Sequence, residues 1–247
     1  MKQTPRQDAW FWLMLLSATV LGETAGDLIS MTLHVGYGVA TLILVALLVV
    51  ALAVELVGRA QHPALFWVLI ILTSTTGTTL SDLVTRTLKL GYTLGTLALA
   101  ALLMVIFAVW RWRARTLAVD RLTSPGVEFL YWTAILTSST LGTAFGDWLS
   151  NDAGLGFAGA SAVLAVLLLV LVGLVRFTSV SRVLLFWLGI VVMHPIGATI
   201  GDLLTKEDGL NLGTVGPSIA LLAIFLVLSF VVSRVRRREG PSAAERG

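Results

Sequence analysis

One pattern, W-x9-G-x3-[GS]-D-x2-[ST], occurs four times along the chain and fixes most of what it can fold into. It starts at Trp12, Trp67, Trp132 and Trp187, each preceded by an aromatic residue: Phe11, Phe66, Tyr131 or Phe186. The glycines are Gly22, Gly77, Gly142 and Gly197; the second small residues are Gly26, Ser81, Gly146 and Gly201. Asp27, Asp82, Asp147 and Asp202 follow at once, and a hydroxyl three residues on closes each copy (Ser30, Thr85, Ser150, Thr205). The steps between the aspartates are 55, 65 and 55 residues. Equal outer steps around a longer middle one point to a pair that was duplicated and then duplicated again, with the extra length near Arg113 to Pro125.

Each copy contains two apolar segments. The chain is 57% hydrophobic and only 13% charged, where a soluble domain carries about 25% charged residues. Several segments exceed the roughly 18 apolar residues needed to cross a bilayer. The pattern therefore predicts an all-α polytopic membrane protein with eight transmembrane helices near 9–33, 38–58, 64–88, 92–112, 127–150, 156–176, 182–205 and 213–234. These form one transmembrane domain over 1–247, built from repeats at 9–60, 64–115, 127–178 and 182–236 around a pseudo-symmetric centre, with a basic, disordered cytoplasmic tail at 237–247. Two helices per repeat is an even number, so the repeats are parallel and not inverted. The first apolar segment recurs three more times, which marks it as structure and not as a removable leader.

Fourteen Lys and Arg residues fall at the termini and between repeats; three (Arg86, Lys89, Lys206) fall in the turns inside repeats. That asymmetry predicts cytoplasmic N- and C-termini. The aromatic pairs are then expected as anchors at the cytoplasmic interface. Basic residues that flank apolar segments are topology signals, so no nucleic-acid partner is expected. The chain has no Cys, which excludes disulfides, thiolate metal sites and Cys catalysis. It has no H-E-x-x-H and no Ser-His-Asp order, and an enzyme is not expected.

The four aspartates carry the functional expectation. An ionised Asp facing lipid near the bilayer centre costs at least about 2.5–3.5 kcal/mol, and four would cost on the order of 10 kcal/mol, comparable to a whole protein's net stability. They must turn inward. The small-xxx-small pairs Gly22/Gly26, Gly77/Ser81, Gly142/Gly146 and Gly197/Gly201 let helix backbones approach closely, so the four Asp-bearing helices are expected to gather in the middle with their acids converging at one depth. Crowded carboxylates either protonate or take a cation.

The copies differ in two informative places. Glu23 stands where the others have Thr78, Thr143 and Ala198, and it pairs with Asp27 at i, i+4. His194 stands where the others have Thr19, Ser74 and Ser139, with Pro195 after it. The expected metal ligands are Glu23, Asp27, Asp82, Asp147 and Asp202, supported by the hydroxyls of Ser30, Thr85, Ser150 and Thr205, with His194 as a further ligand or proton relay. Such oxygen-rich sets suit Mg²⁺, Ca²⁺ or Mn²⁺, and a His tilts the choice to Mn²⁺ or a later divalent metal; no organic cofactor is expected. Asp152, Glu207 and Asp208 would place negative charge at an entrance.

These segments (LGETAGD, TGTTLSD, LGTAFGD and IGATIGD) resemble a family of bacterial repeat-containing integral membrane proteins, labelled membrane-anchored and uncharacterised. The resemblance spans nearly the whole chain and implies a bacterial inner-membrane location; it brings no catalytic residues with it. The leading expectation is a transporter or channel for a divalent metal cation. A proton-coupled transporter of a small solute and a non-transport scaffold or partner subunit are the alternatives. The partners expected are the lipid bilayer and a metal ion or proton, with the chain a monomer or a homodimer.

Overall fold

The computed structural model describes residues 4–58, 63–119, 122 and 124–239. Among them there are eight α-helices and no strands: α1 (Ala9–Asp27), α2 (Tyr37–Val57), α3 (Pro63–Asp82), α4 (Gly91–Ala114), α5 (Pro125–Asp147), α6 (Gly156–Phe177), α7 (Arg182–Thr205) and α8 (Val215–Glu239). The tail expected from residue 237 begins as the end of α8, and residues 240–247 lie outside the described residues, as do Lys2, Arg59, His62 and Arg121.

Seven of the helices are long and apolar enough to cross a membrane. The eighth, α5, has 23 residues but carries six Ser and Thr side chains together with Glu128 and Asp147. Its polarity is tolerable because α3, α4 and α7 all pack against it. In the first three repeats the helix loosens into a single π turn directly after the aspartate, at Leu28–Thr32, Leu83–Thr87 and Trp148–Asp152. Such π turns concentrate at functional sites. In the fourth, α7 stays α-helical to Thr205 and holds Pro195 inside it.

The odd-numbered helices close a ring: α1 packs on α3, α3 on α5, α5 on α7 and α7 on α1. The contacts repeat with the sequence. Gly22 lies against Ser74, Gly77 against Ser139, Gly142 against His194 and Gly197 against Thr19. One turn on, Gly26 lies against Thr78, Gly146 against Thr199 and Ala198, and Gly201 against Glu23, while Ser81 is fully buried. Each helix offers its small-residue face to the next repeat, and the last offers its face to the first.

The even-numbered helices form an outer layer, and each leans mainly on the following repeat: α2 on α3, α4 on α5, α6 on α7 and α8 on α1. The unit of sequence is therefore not the unit of packing. The ring is latched where the chain ends meet. Asp8 caps α1 by accepting the Phe11 amide at 3.0 Å, and Arg236 of α8 ion-pairs with it at 3.3 Å.

Successive i, i+4 positions of the four inner helices are buried in every repeat and form layers along the ring. Starting from the side of the termini, the first is aromatic (Phe11, Phe66, Tyr131, Phe186) and the second aliphatic (Leu15, Ile70, Ile135, Ile190). The third is Thr19, Ser74, Ser139 and His194, the fourth Glu23, Thr78, Thr143 and Ala198, and the fifth the four aspartates. The aromatic pairs are not interfacial anchors as the sequence suggested. Phe11 contacts Phe66, Trp67 and Phe186 with ring centroids 5.7–6.4 Å apart, and seven of the eight paired rings are buried. Aromatic residues repeated at one depth on a closed ring meet each other before they meet lipid headgroups.

Candidate cation site

The aspartate layer divides into two ion-paired halves. In one, Arg86 Nε lies 2.7 Å from Asp82 Oδ1 and its Nη2 3.3 Å from Asp147 Oδ2. In the other, Lys206 Nζ lies 2.6 Å from Asp202 Oδ1 and 3.6 Å from Asp27 Oδ2. Each cation stands four residues after the aspartate of its own repeat and reaches the aspartate of the next. The fourfold sequence pattern thus becomes a twofold arrangement of charge. Repeats two and four supply cations; at the same position repeats one and three have Met31 and Asn151.

Arg86 and Lys206 are the functional residues that motif reading missed, since it counted both only as turn residues that report topology. The signal was present in the alternation of Met, Arg, Asn and Lys four residues after each Asp. Each cation also sits over a ring, Arg86 over Tyr92 at 5.7 Å and Lys206 over Phe157 at 5.6 Å. Lys206 lies just past the end of α7. Burial alone would lower its pKa, but Asp202, Asp27, Asp147 and Glu23 outweigh burial and hold the ammonium protonated well above the ordinary lysine value.

The two halves are not chemically equal. Next to Asp27 and Asp202 stands Glu23, one layer deeper, and one carboxylate oxygen from each of the three lies within 4.8 Å of the others. Glu23 Oε2 accepts hydrogen bonds from Thr78 and Thr143, both at 2.9 Å. Thr143 comes from the helix across the ring, so the Glu23 side chain reaches the centre. Asp82 and Asp147 have no such third acid among the described residues; the matching position carries only Thr78, Thr143 and Ala198. The Oδ1 atoms of Asp27 and Asp147 are buried without a hydrogen-bond partner among the described residues.

Of the residues the sequence put forward, Glu23, Asp27 and Asp202 are brought together, and Asp82 and Asp147 form the separate Arg86 pair. His194 is not part of the three-acid cluster. It sits two layers from the aspartates and one from Glu23, where its Nδ1–H donates to the Ile190 carbonyl at 2.9 Å and its Nε2 is buried with no partner among the described residues. Ser30, Thr85 and Thr205 donate to the carbonyls of Gly26, Ser81 and Gly201 at 2.7–3.0 Å. They serve their own backbones, as Ser and Thr in apolar helices tend to, and the Ser150 hydroxyl has no partner among the described residues. The hydroxyls that touch a carboxylate of these inner layers belong instead to Thr78 and Thr143.

A measurable consequence concerns the Arg86 half. Arg86→Gln leaves two buried carboxylates without a cation, and breaking a buried pair on one side typically costs about 3–5 kcal/mol. Thermal unfolding in detergent should show that loss, and an added Asp82→Asn should restore part of it. An unchanged melting temperature in Arg86→Gln would mean the pair contributes nothing.

An inner ring of four helices with buried acids inside it, wrapped by four outer helices, defines a polytopic all-α membrane protein with a charged interior. The chain matches the family described as Repeat of Unknown Function (DUF347) four times, over residues 10–60, 65–116, 130–181 and 185–238, and it belongs to that family. No curated protein and no solved structure matches it.

Proposed function

We propose that the protein is a transporter or channel for a divalent metal cation, held by Glu23, Asp27 and Asp202. The observation that carries this reading is the cluster of three carboxylate oxygens within 4.8 Å of one another on two adjoining helices. Oxygens on opposite sides of Mg²⁺ or Ca²⁺ stand about 4–5 Å apart, so an ion needs little rearrangement of the acids. With His194 outside the three-acid cluster the donor set is oxygen alone, and nothing in it favours Mn²⁺ over Mg²⁺ or Ca²⁺.

In this reading the protein lies in the bacterial inner membrane with both termini cytoplasmic, and a single chain completes the ring. The cation enters from the face opposite the termini, where Asp152, Glu207 and Asp208 are exposed. The inner layers stay polar from the aspartates to Thr19, Ser74, Ser139 and His194, then turn apolar. Passage onward requires the aliphatic and aromatic layers to part. Lys206 already ion-pairs with Asp27 and Asp202, so an entering cation has to displace its ammonium.

Thermal stabilisation of the purified protein across Mg²⁺, Ca²⁺, Mn²⁺, Zn²⁺, Co²⁺ and Ni²⁺ tests the proposal. A ligand at 100 times its Kd stabilises by about 2.7 kcal/mol, and Asp27→Asn/Asp202→Asn should lose the effect. Stabilisation by none of the metals, or equally in the double variant, would reject the site. A proton-coupled transporter is the second reading, favoured by Glu23, which alone of the five acids makes no ion pair among the described residues and rests on two neutral hydroxyls. Metal-independent proton flux in vesicles, abolished by Glu23→Gln, would favour it.

A further inference from the structure

The lipid-facing side of the ring has two grooves that the repeat makes equivalent. One runs between α4 and α7 over α5, with a volume of about 630 Å³. The other runs between α6 and α1 over α7, with a volume of about 400 Å³. A step of one repeat along the chain carries the first onto the second. They differ in charge. The first has Arg111, Arg115, Thr116 and Ser181 at its end on the side of the termini, whereas no charged residue lines the second.

Neither the Arg111 nor the Arg115 guanidinium makes an ion pair or hydrogen bond with any described residue. The rest of the first groove is apolar and continues past Met104 to Ala100 and Leu141, beside the mid-helix Gly142. From Arg111 to Ala100 the helix advances by about 16 Å, close to half of a roughly 30 Å hydrocarbon core. A guanidinium pair at the membrane surface above an apolar channel one leaflet deep is complementary to one kind of molecule.

We propose that this groove binds an anionic phospholipid from the leaflet on the side of the termini. The phosphate and headgroup meet Arg111 and Arg115, and one acyl chain fills the channel down to Leu141. Cationic pockets between transmembrane helices recognise lipid headgroups in this way. The site is independent of the cation cluster and stands or falls without it.

Native mass spectrometry of the full chain, titrated with phosphatidylglycerol and with phosphatidylcholine, tests the assignment. Two surface arginines favour the anionic lipid on the order of 25-fold, and the wild type should retain one phosphatidylglycerol with that preference. Arg111→Gln/Arg115→Gln should bring the two lipids level, while Arg113→Gln, which does not line the groove, should leave the preference intact. Met104→Trp fills the channel and keeps both arginines; it should lose the retained lipid. Soluble glycerol phosphate should not compete. Equal retention of the two lipids by the wild type, or a preference that survives the double variant, would overturn the proposal. A preference that survives Met104→Trp, or yields to glycerol phosphate, would reduce the site to surface charge and overturn it as well.

Discussion

Lys206→Gln should tighten divalent-cation binding on the order of 100-fold, and Lys206→Arg should weaken it. The ammonium contacts Asp202 at 2.6 Å and Asp27 at 3.6 Å, and these are two of the three carboxylates that would hold the ion. At an effective dielectric of 20, each unit-charge contact near 4 Å amounts to about 4 kcal/mol. Even partial relief from that competition spans about two decades in Kd. Arginine keeps the charge, grips carboxylates in a fork and is harder to dislodge, so the two variants should move affinity in opposite directions. Arg86 already holds the other half of the layer in that manner. Isothermal titration with the metal that stabilises the wild type best reads both effects. If Lys206→Gln binds that metal more weakly, Lys206 orients the acids and does not compete for them. If both variants match the wild type, the ion binds elsewhere.

The ring was legible in the sequence because its cause is local and repeated. A glycine ten residues after each Trp, with a second small residue four later, specifies a flat helix face, and four such faces in one chain can only satisfy each other. The same regularity misled at the aspartates. A repeat suggests equivalence, yet charge is set by the positions that vary, and a single cation four residues downstream in alternate copies turns four acids into two pairs. Arg86 and Lys206 fell at segment ends, where counting charges for topology treats every basic residue as solvated. Nor does the motif say that Thr78 and Thr143 both reach Glu23, because that contact spans three helices and depends on the ring being closed. The packing of α2 on α3 in place of α1 was equally hidden: apolar faces of α2, α4, α6 and α8 give no sign of which neighbour they lean on. Glu23 and His194, the two departures from the repeat, drew equal attention in the sequence, but only Glu23 reaches the acids. Separation along a helix decided between them, and that much was measurable from residue number alone.

Gly142→Ala should cost more than about 3 kcal/mol or prevent folding, while Gly173→Ala should be neutral or stabilising. A Cβ at Gly142 would overlap the Cβ of His194 and come within 2.9 Å of His194 C and Pro195 N. Those are backbone atoms of α7, so no side-chain rotation relieves the clash, and α5 must move away from α7. Overpacking a tight core usually costs about 1–3 kcal/mol, but here the displaced helix is also bound to α3 and α4. In a closed ring a shift at one seam strains the other three. Gly146→Ala is a graded comparison: its Cβ would meet Thr199 Cγ2 at 3.1 Å, with Ala198 Cβ and the Pro195 carbonyl oxygen at an ordinary 3.5 Å, and should cost less. Gly173 lies in α6 with nothing within 4 Å of an added Cβ, and Ala is favoured over Gly in a helix interior by roughly 0.5–1 kcal/mol. Melting temperatures of the three variants in detergent should therefore rank Gly173→Ala, Gly146→Ala, Gly142→Ala from highest to lowest. If Gly142→Ala melted with the wild type, the α5–α7 seam would have to be looser than the backbone contact implies, and the inner ring would not hold its acids at fixed distances.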